Sequence, residues 1–133
     1  MQKEILLLFR PSLWVSDTLA ELLEANGYIV HQSDKPIDLL RQVISFECLP
    51  YSLIILEILM PGMDGVELFK RMMKYKVRIP IILMSAHLNE EIGIEFEEKG
   101  LFKYMSFYMS FPPDNNEFLD VVKQAVSLDH LGV

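Results

Sequence analysis

The sequence predicts an α/β fold in which a parallel sheet carries helices on both faces. Short, continuously apolar runs alternate with longer segments in which apolar residues recur at helical spacing. The run at residues 5–9 is apolar throughout, which is typical of a strand buried on both faces of a parallel sheet. Five such strands alternate with five helices, and this order favours parallel strands joined by helical crossovers.

Local signals give the predicted elements their bounds. Gly27 is suited to end the first helix, since glycine readily adopts the left-handed cap conformation. Ser33 and Asp34 are predicted to cap the second helix ahead of a proline in its first turn. Asp114 and Glu117 have the spacing of a capping box. The strands are predicted at 5–9, 28–30, 53–56, 79–84 and within 101–111, and the helices at 13–26, 35–44, 65–75, 88–99 and from 114 to about 126.

The apolar residues of the second helix predict which of its faces is buried. Ile37, Leu40, Val43 and Ile44 recur at the spacing of one helical stripe. We therefore expect these four side chains to face the sheet.

The composition predicts one folded domain covering residues 1–133. The chain is 51% hydrophobic and 23% charged, so it can bury a core. Its net charge is −7 and its Lys and Arg residues are interpreted as scattered, so we do not expect binding to nucleic acid, which requires clustered cations. No apolar run approaches the length of a membrane span, and the single Cys48 fits a reducing compartment. We expect a cytoplasmic domain without membrane contact.

Functional side chains are expected where the strands end, because ligands of open parallel sheets bind beyond the carboxyl ends of the strands. Arg10 follows the first predicted strand, Glu57 the third and Ser85 the fourth. Glu57 is the one carboxylate that the sequence places directly at a predicted strand end.

Two segments resemble a known signalling family. Residues 56–65 read Leu-Glu-Ile-Leu-Met-Pro-Gly-Met-Asp-Gly, and residues 79–87 run from an Ile-Pro pair to Ser-Ala-His. The pattern is similar to the receiver domain of bacterial response regulators, in which an aspartate ends an apolar strand before a Met-Pro-Gly-Met-Asp-Gly turn. The resemblance implies a flavodoxin-like fold with strand order 2-1-3-4-5. It also implies phosphorylation of that aspartate beside Mg²⁺, which two acids hold.

Most positions of that phosphorylation site are changed in this sequence. The resemblance assigns the phosphoacceptor position to Glu57, the acid pair to Leu8 and Phe9, the switch hydroxyl and aromatic to Ser85 and Tyr108, and the lysine position to Phe111, which precedes Pro112. Mg²⁺ needs several placed oxygens, and phosphoryl transfer depends on the charges of the metal and the lysine. We therefore expect no Mg²⁺ or other cofactor, no catalytic residue and no enzymatic activity.

Glu57 has two interpretations that the sequence leaves open. Its longer side chain could imitate a phosphorylated aspartate, or it could be a carboxylate that remained after activity was lost. A carboxylate among apolar side chains needs a partner, which Arg10 or the Ser85 hydroxyl could supply. Between a pairing role and a solvated surface position for Arg10, we favour the surface position.

The fifth strand has two candidate registers. Tyr104-Met105-Ser106-Phe107 is repeated at once as Tyr108-Met109-Ser110-Phe111. Counting from Ser85 places Phe107 at the lysine position, whereas counting back from Pro112 places Phe111 there. We favour the second register, and both give a phenylalanine at the lysine position.

The sequence thus predicts a phosphorylation-independent receiver that acts by protein–protein interaction. The expected partner is a histidine kinase or a downstream output protein, and a homodimer stays open. By analogy with the family, the first and last helices or the fourth and last are expected to bind it. The alternative is a receiver that still accepts phosphate through Glu57 or a neighbour. A flavin-binding domain of the same topology is disfavoured, because Phe9-Arg10-Pro11-Ser12 is not a phosphate-binding loop.

Overall fold

The computed structural model describes residues 2–10, 14–45, 49–57, 65–75, 77–85, 106–110 and 113–128. These residues form a parallel sheet with helices on both faces, so the predicted α/β fold is confirmed. The strands are β1 (Glu4–Leu8), β2 (Ile29–Ser33), β3 (Leu53–Glu57), β4 (Ile81–Ser85) and β5 (Ser106–Ser110). The helices are α1 (Trp14–Ala25), α2 (Pro36–Ile44), α3 (Gly65–Lys74) and α4 (Asn115–Leu128).

The strands lie in the order β2-β1-β3-β4-β5, which is the order that the resemblance implies. Every neighbouring pair is parallel. The carboxyl ends of the strands therefore meet at one edge of the sheet, where the candidate site was expected. The helix predicted at 88–99 lies outside the described residues.

The core has two layers, one on each face of the sheet. Successive side chains of a strand point to opposite faces, so neighbours in sequence enter different layers. Ile5 and Leu7 pack with α1 and α4, whereas Leu6 and Leu8 pack with α2 and α3. All five residues of β3 are buried, as expected for a central strand covered on both faces.

The bounds of the edge strand β2 differ from the prediction. The sequence predicts 28–30, but β2 continues through the polar residues His31 and Gln32 to Ser33. An edge strand is covered on one side only, so its residues need not be apolar. A prediction based on apolar runs therefore ends such a strand too early.

The helix caps agree with the prediction in two of three places. Gly27 has a φ of 90°, and the Asp114 carboxylate accepts a hydrogen bond from the Glu117 N–H at 3.0 Å. The cap predicted for α2 is wrong. Lys35 is the N-cap and makes no side-chain cap bond, while Ser33 belongs to β2 and its hydroxyl accepts from the Lys35 N–H at 3.2 Å.

The buried face of α2 also differs from the prediction. Leu40 and Val43 are buried as predicted, but Leu39 joins them and both isoleucines point outward. Ile37 is 44% exposed and Ile44 is 45% exposed. Two overlapping stripes, 36-39-40-43 and the predicted 37-40-43-44, both fit the helical period, and packing against the sheet selects the first.

No helix in the described part of the chain is both long enough and apolar enough to cross a membrane.

We predict that Gly27→Ala lowers the free energy of unfolding by about 1 kcal/mol, because a left-handed φ disfavours a side chain. Nothing lies within 4 Å of a Cβ added at this position, so the cost is one of backbone conformation rather than packing. Gly27→Asn is the control, since asparagine tolerates this conformation better than alanine. Urea unfolding would measure both variants. An alanine variant as stable as the wild type would contradict the cap.

Candidate functional site

The candidate site lies at the carboxyl ends of β1 and β3, which are neighbours in the sheet. Leu8 pairs with Leu56, so the residues that follow them leave the sheet side by side. This pairing brings Arg10, two residues beyond Leu8, to the Glu57 carboxylate at the end of β3.

Arg10 and Glu57 form an ion pair that the backbone reinforces. The Arg10 Nε donates to Glu57 Oε1 at 2.9 Å, and the Arg10 backbone N–H donates to the same oxygen at 3.0 Å. Glu57 is 1% exposed, whereas the Arg10 side chain is 34% exposed. Our preference for a solvated Arg10 is therefore wrong, because the buried carboxylate needs a cation and Arg10 is within reach.

The second oxygen of the carboxylate has a different hydrogen-bonding environment. Glu57 Oε2 is buried, and it has no hydrogen-bond partner among the residues that the structure describes. Burying a charged oxygen without a donor costs free energy of folding. The two hydrogen bonds to Oε1 offset this cost and hold the carboxylate in place.

The positions of the acid pair are part of the core. Leu8 is 1% exposed and packs in the layer under α2 and α3. Phe9 is 2% exposed and packs in the layer under α1 and α4, and its backbone N–H donates to the Ser33 carbonyl at 3.1 Å. Both side chains fill space between the sheet and its helices rather than facing a ligand.

The donor set at this edge does not fit Mg²⁺. This ion requires near-octahedral oxygen ligands, usually including one or two carboxylates. Within the described residues no three acidic, histidine or cysteine side chains are grouped so that they could hold a metal. Among the residues that the structure describes, Glu57 is the carboxylate that ends β3 beside β1, and Arg10 engages it.

A cavity of about 220 Å³ lies beside Arg10, between the ends of β1 and β2 and the start of α1. Within it the Ser16 hydroxyl donates to Gln32 Oε1 at 2.8 Å. Ser16 and Gln32 are not predictable from the sequence pattern, because their contact depends on β2 extending beyond its apolar residues. The cavity is lined by Phe9, Arg10, Ser16, Asp17, Gln32, Ser33 and Asp34.

The sequence model of the response regulator receiver domain matches residues 13–108, well over half of the chain. The chain belongs to the response regulator receiver family. Receiver domains are the signal-accepting modules of two-component response regulators, and such domains interact with kinases or output proteins. The family and the coarse function implied by the resemblance are thus confirmed.

Curated relatives match this receiver domain over a part of their own length. Regulatory protein AtoC of Escherichia coli K12 is 32% identical over 59% of this chain and 16% of its own length. FixJ of Bradyrhizobium diazoefficiens is 30% identical over 67% of this chain and 42% of its own. The probable transcriptional regulator ycf29 of Pyropia yezoensis is 27% identical over 95% of this chain and 54% of its own. The chain thus spans about half or less of these relatives.

Solved receiver structures share the fold along the whole chain. A receiver domain from Methanospirillum hungatei superposes with a TM-score of 0.79 at 20% identity and covers all of both chains. A signal receiver domain from Pseudomonas fluorescens superposes with a TM-score of 0.79 at 24% identity and covers 98% of each. Identities this low support the fold alone.

The structure places the remaining receiver positions in part. Ser85 ends β4 one residue beyond the partner of Glu57, and it pairs with Ser110. Tyr108 lies in β5 opposite Leu83. The pairing of 106–110 with β4 puts the second copy of the repeat at the strand end, so the register counted from Pro112 is the one adopted. Phe111 and Pro112 lie outside the described residues, as do Cys48, His87 and His130.

His31 lies on an exposed face of the edge strand β2. Its Nε2 lies 2.9 Å from Glu4 Oε1, and its ring meets that of Tyr51 edge-on at 5.5 Å. Burial raises the pKa of Tyr51, and the negative charge of Glu4 raises this pKa further. Glu4 begins β1 and Tyr51 precedes β3, so these contacts lie away from the carboxyl ends of the strands, where the candidate site is.

We predict that Arg10→Met lowers the free energy of unfolding by about 1–3 kcal/mol, because it leaves the Glu57 charge buried without its cation. The lower part of this range is favoured by the partial exposure of Arg10, which lets water approach. Urea unfolding would measure the effect.

The matched control introduces Arg10→Met into a Glu57→Gln background. Glutamine keeps an oxygen that accepts from the Arg10 backbone N–H, but it carries no charge. There the same substitution should cost less than about 1 kcal/mol. Equal costs in the two backgrounds would show that the ion pair contributes nothing.

Proposed function

We propose that this receiver domain signals without phosphorylation, as a protein-binding module that is not an enzyme and binds no Mg²⁺. The observation that carries the proposal is the burial of Glu57 in an ion pair with Arg10, together with the burial of Leu8 and Phe9 at the acid-pair positions. A phosphoryl acceptor needs an oxygen that can reach the donor in line, together with charges that neutralise the transferred group. The Glu57 carboxylate is covered, and its neighbours Leu8 and Phe9 supply no metal ligand.

The pairing also favours one interpretation of Glu57 over the other. A phosphorylated aspartate adds close to two negative charges that new contacts can use. Glu57 carries one charge, and Arg10 neutralises it through two hydrogen bonds. We therefore propose that the pair fixes the end of the sheet in one arrangement rather than imitating the phosphorylated state.

The proposed partner is a histidine kinase or a downstream output protein, and a second copy of the chain is a further candidate. Receiver domains act through such protein contacts. The pattern of exposed apolar side chains, taken up below, supports a binding surface on this domain. The activities named for the longer relatives belong to those proteins.

We predict that neither the wild type nor Glu57→Asp is phosphorylated by acetyl phosphate with about 10 mM Mg²⁺, because a restored aspartate still lacks the other carboxylates that a Mg²⁺ site needs. Intact-mass spectrometry would detect the added phosphoryl group, and a receiver with the acceptor aspartate serves as the positive control. Trp14 fluorescence should stay unchanged during a Mg²⁺ titration.

A phosphorylated wild-type species mapped to Glu57 or Ser85 would overturn the proposal and favour the phosphoacceptor alternative. The converse experiment restores all four positions, with Leu8→Asp, Phe9→Asp, Glu57→Asp and Phe111→Lys. Because Leu8 and Phe9 are buried, this variant should be measurably less stable than the wild type.

A further inference from the structure

A groove of about 390 Å³ lies between α2 and α3, and its lining combines apolar and basic side chains. Leu40 and Ile44 of α2 and Tyr75 at the end of α3 form its apolar part. Four large apolar side chains are exposed in the described part of the chain, and two of them, Ile44 of α2 and Tyr75 directly after α3, line this groove. Exposed apolar side chains that meet in one groove offer a surface that a partner can cover.

The rim of the groove is basic, although the protein is acidic. Lys70, Arg71 and Lys74 line it, against one acid, Glu67. Five of the twelve Lys and Arg residues fall between residues 70 and 78, so the description of the cations as scattered is wrong for this segment. In a chain with a net charge of −7, this is a localised region of opposite sign.

The described salt bridge at the rim joins two exposed side chains. The Arg71 Nε lies 3.0 Å from Glu67 Oε1, in an i,i+4 pair whose side chains are each about half exposed (48% and 49%). Such exposed pairs are weak and are readily exchanged for another carboxylate. Lys74 is exposed at the end of α3, where a carboxylate of a partner could reach it.

We propose that the groove between α2 and α3 binds an acidic amphipathic helix of a partner protein. The apolar floor fits the apolar stripe of such a helix, and the basic rim fits carboxylates on its flanks. Duplex DNA fits less well, because phosphate contacts use cations without an apolar floor. The proposal deepens the proposed function, since it names the surface and the kind of partner.

This surface differs from the one expected by analogy. That expectation combined the last helix, α4, with either α1 or the helix predicted at 88–99. No described side chain of α1 or α4 is among the exposed large apolar residues. The exposed isoleucines of α2 are also the two residues whose burial was predicted wrongly. Their outward position leaves apolar surface in water, and a helix bound in the groove would cover that of Ile44.

The test uses the full chain and a designed peptide of about 14 residues, long enough to follow both short helices. The peptide carries Leu at i, i+3, i+4 and i+7 and mainly Glu and Ala elsewhere. Calorimetry or fluorescence anisotropy should detect binding that weakens as salt is raised. Ile44→Ser and Lys74→Glu should each weaken it by about fivefold or more.

Matched controls separate this site from general effects. Ile29→Ser removes an exposed isoleucine of β2, and Lys123→Glu reverses an exposed charge of α4. Both should leave peptide binding within about twofold of the wild type. Circular dichroism verifies that each variant is folded, and Lys74→Glu alone decides the matter if Ile44→Ser does not fold.

Several outcomes would overturn the groove proposal: no binding of the acidic peptide, equal binding of a peptide with Lys in place of Glu, or insensitivity to both groove variants. A duplex DNA probe that competes for the groove more strongly than the peptide would also do so. Acetyl-phosphate labelling tests the proposed function separately. If the chain is not labelled by acetyl phosphate and does not bind the peptide, the groove proposal is overturned and the proposal of phosphorylation independence stands.

Discussion

A carboxylate at the end of a fully buried central strand must be neutralised by the protein itself. Glu57 follows four buried apolar residues of β3 and is itself 1% exposed. Water cannot solvate it, so its stability depends on the two hydrogen bonds from Arg10. Because one of these comes from the backbone, the path of the chain just after β1 is tied to the end of β3. The geometry of the whole edge depends on this contact.

The same contact explains how the acid-pair positions could become apolar. Where a metal neutralises the acceptor, side chains after the first strand must bring oxygens to it. Here the cation is covalently part of the chain, so Leu8 and Phe9 are free to pack into the two core layers. The charge of Glu57 is thus neutralised within the protein.

Closure at the sheet edge and exposure between α2 and α3 are complementary features of the same domain. At the edge, Glu57 is paired with Arg10, and the side chains of Leu8 and Phe9 are buried. The groove keeps Ile44 and Tyr75 partly in water next to a cluster of cations, which costs solvation energy in the free protein. This contrast is why we place the proposed binding function on the helices and not at the strand ends.

The sequence alone determined the parallel α/β order, the Gly27 and Asp114 caps and the loss of the acid pair, because each follows from local residue types and short spacings. The tertiary structure decided what depends on distant neighbours. Arg10 and Glu57 are 47 residues apart in sequence, and they meet because β1 and β3 are adjacent in the sheet. Burial of Glu57 then makes pairing more favourable than solvation. Likewise, packing against the sheet chose between two periodic stripes of α2 and turned Ile37 and Ile44 outward. Periodicity defines a helix face, but only the neighbouring elements determine which face is buried.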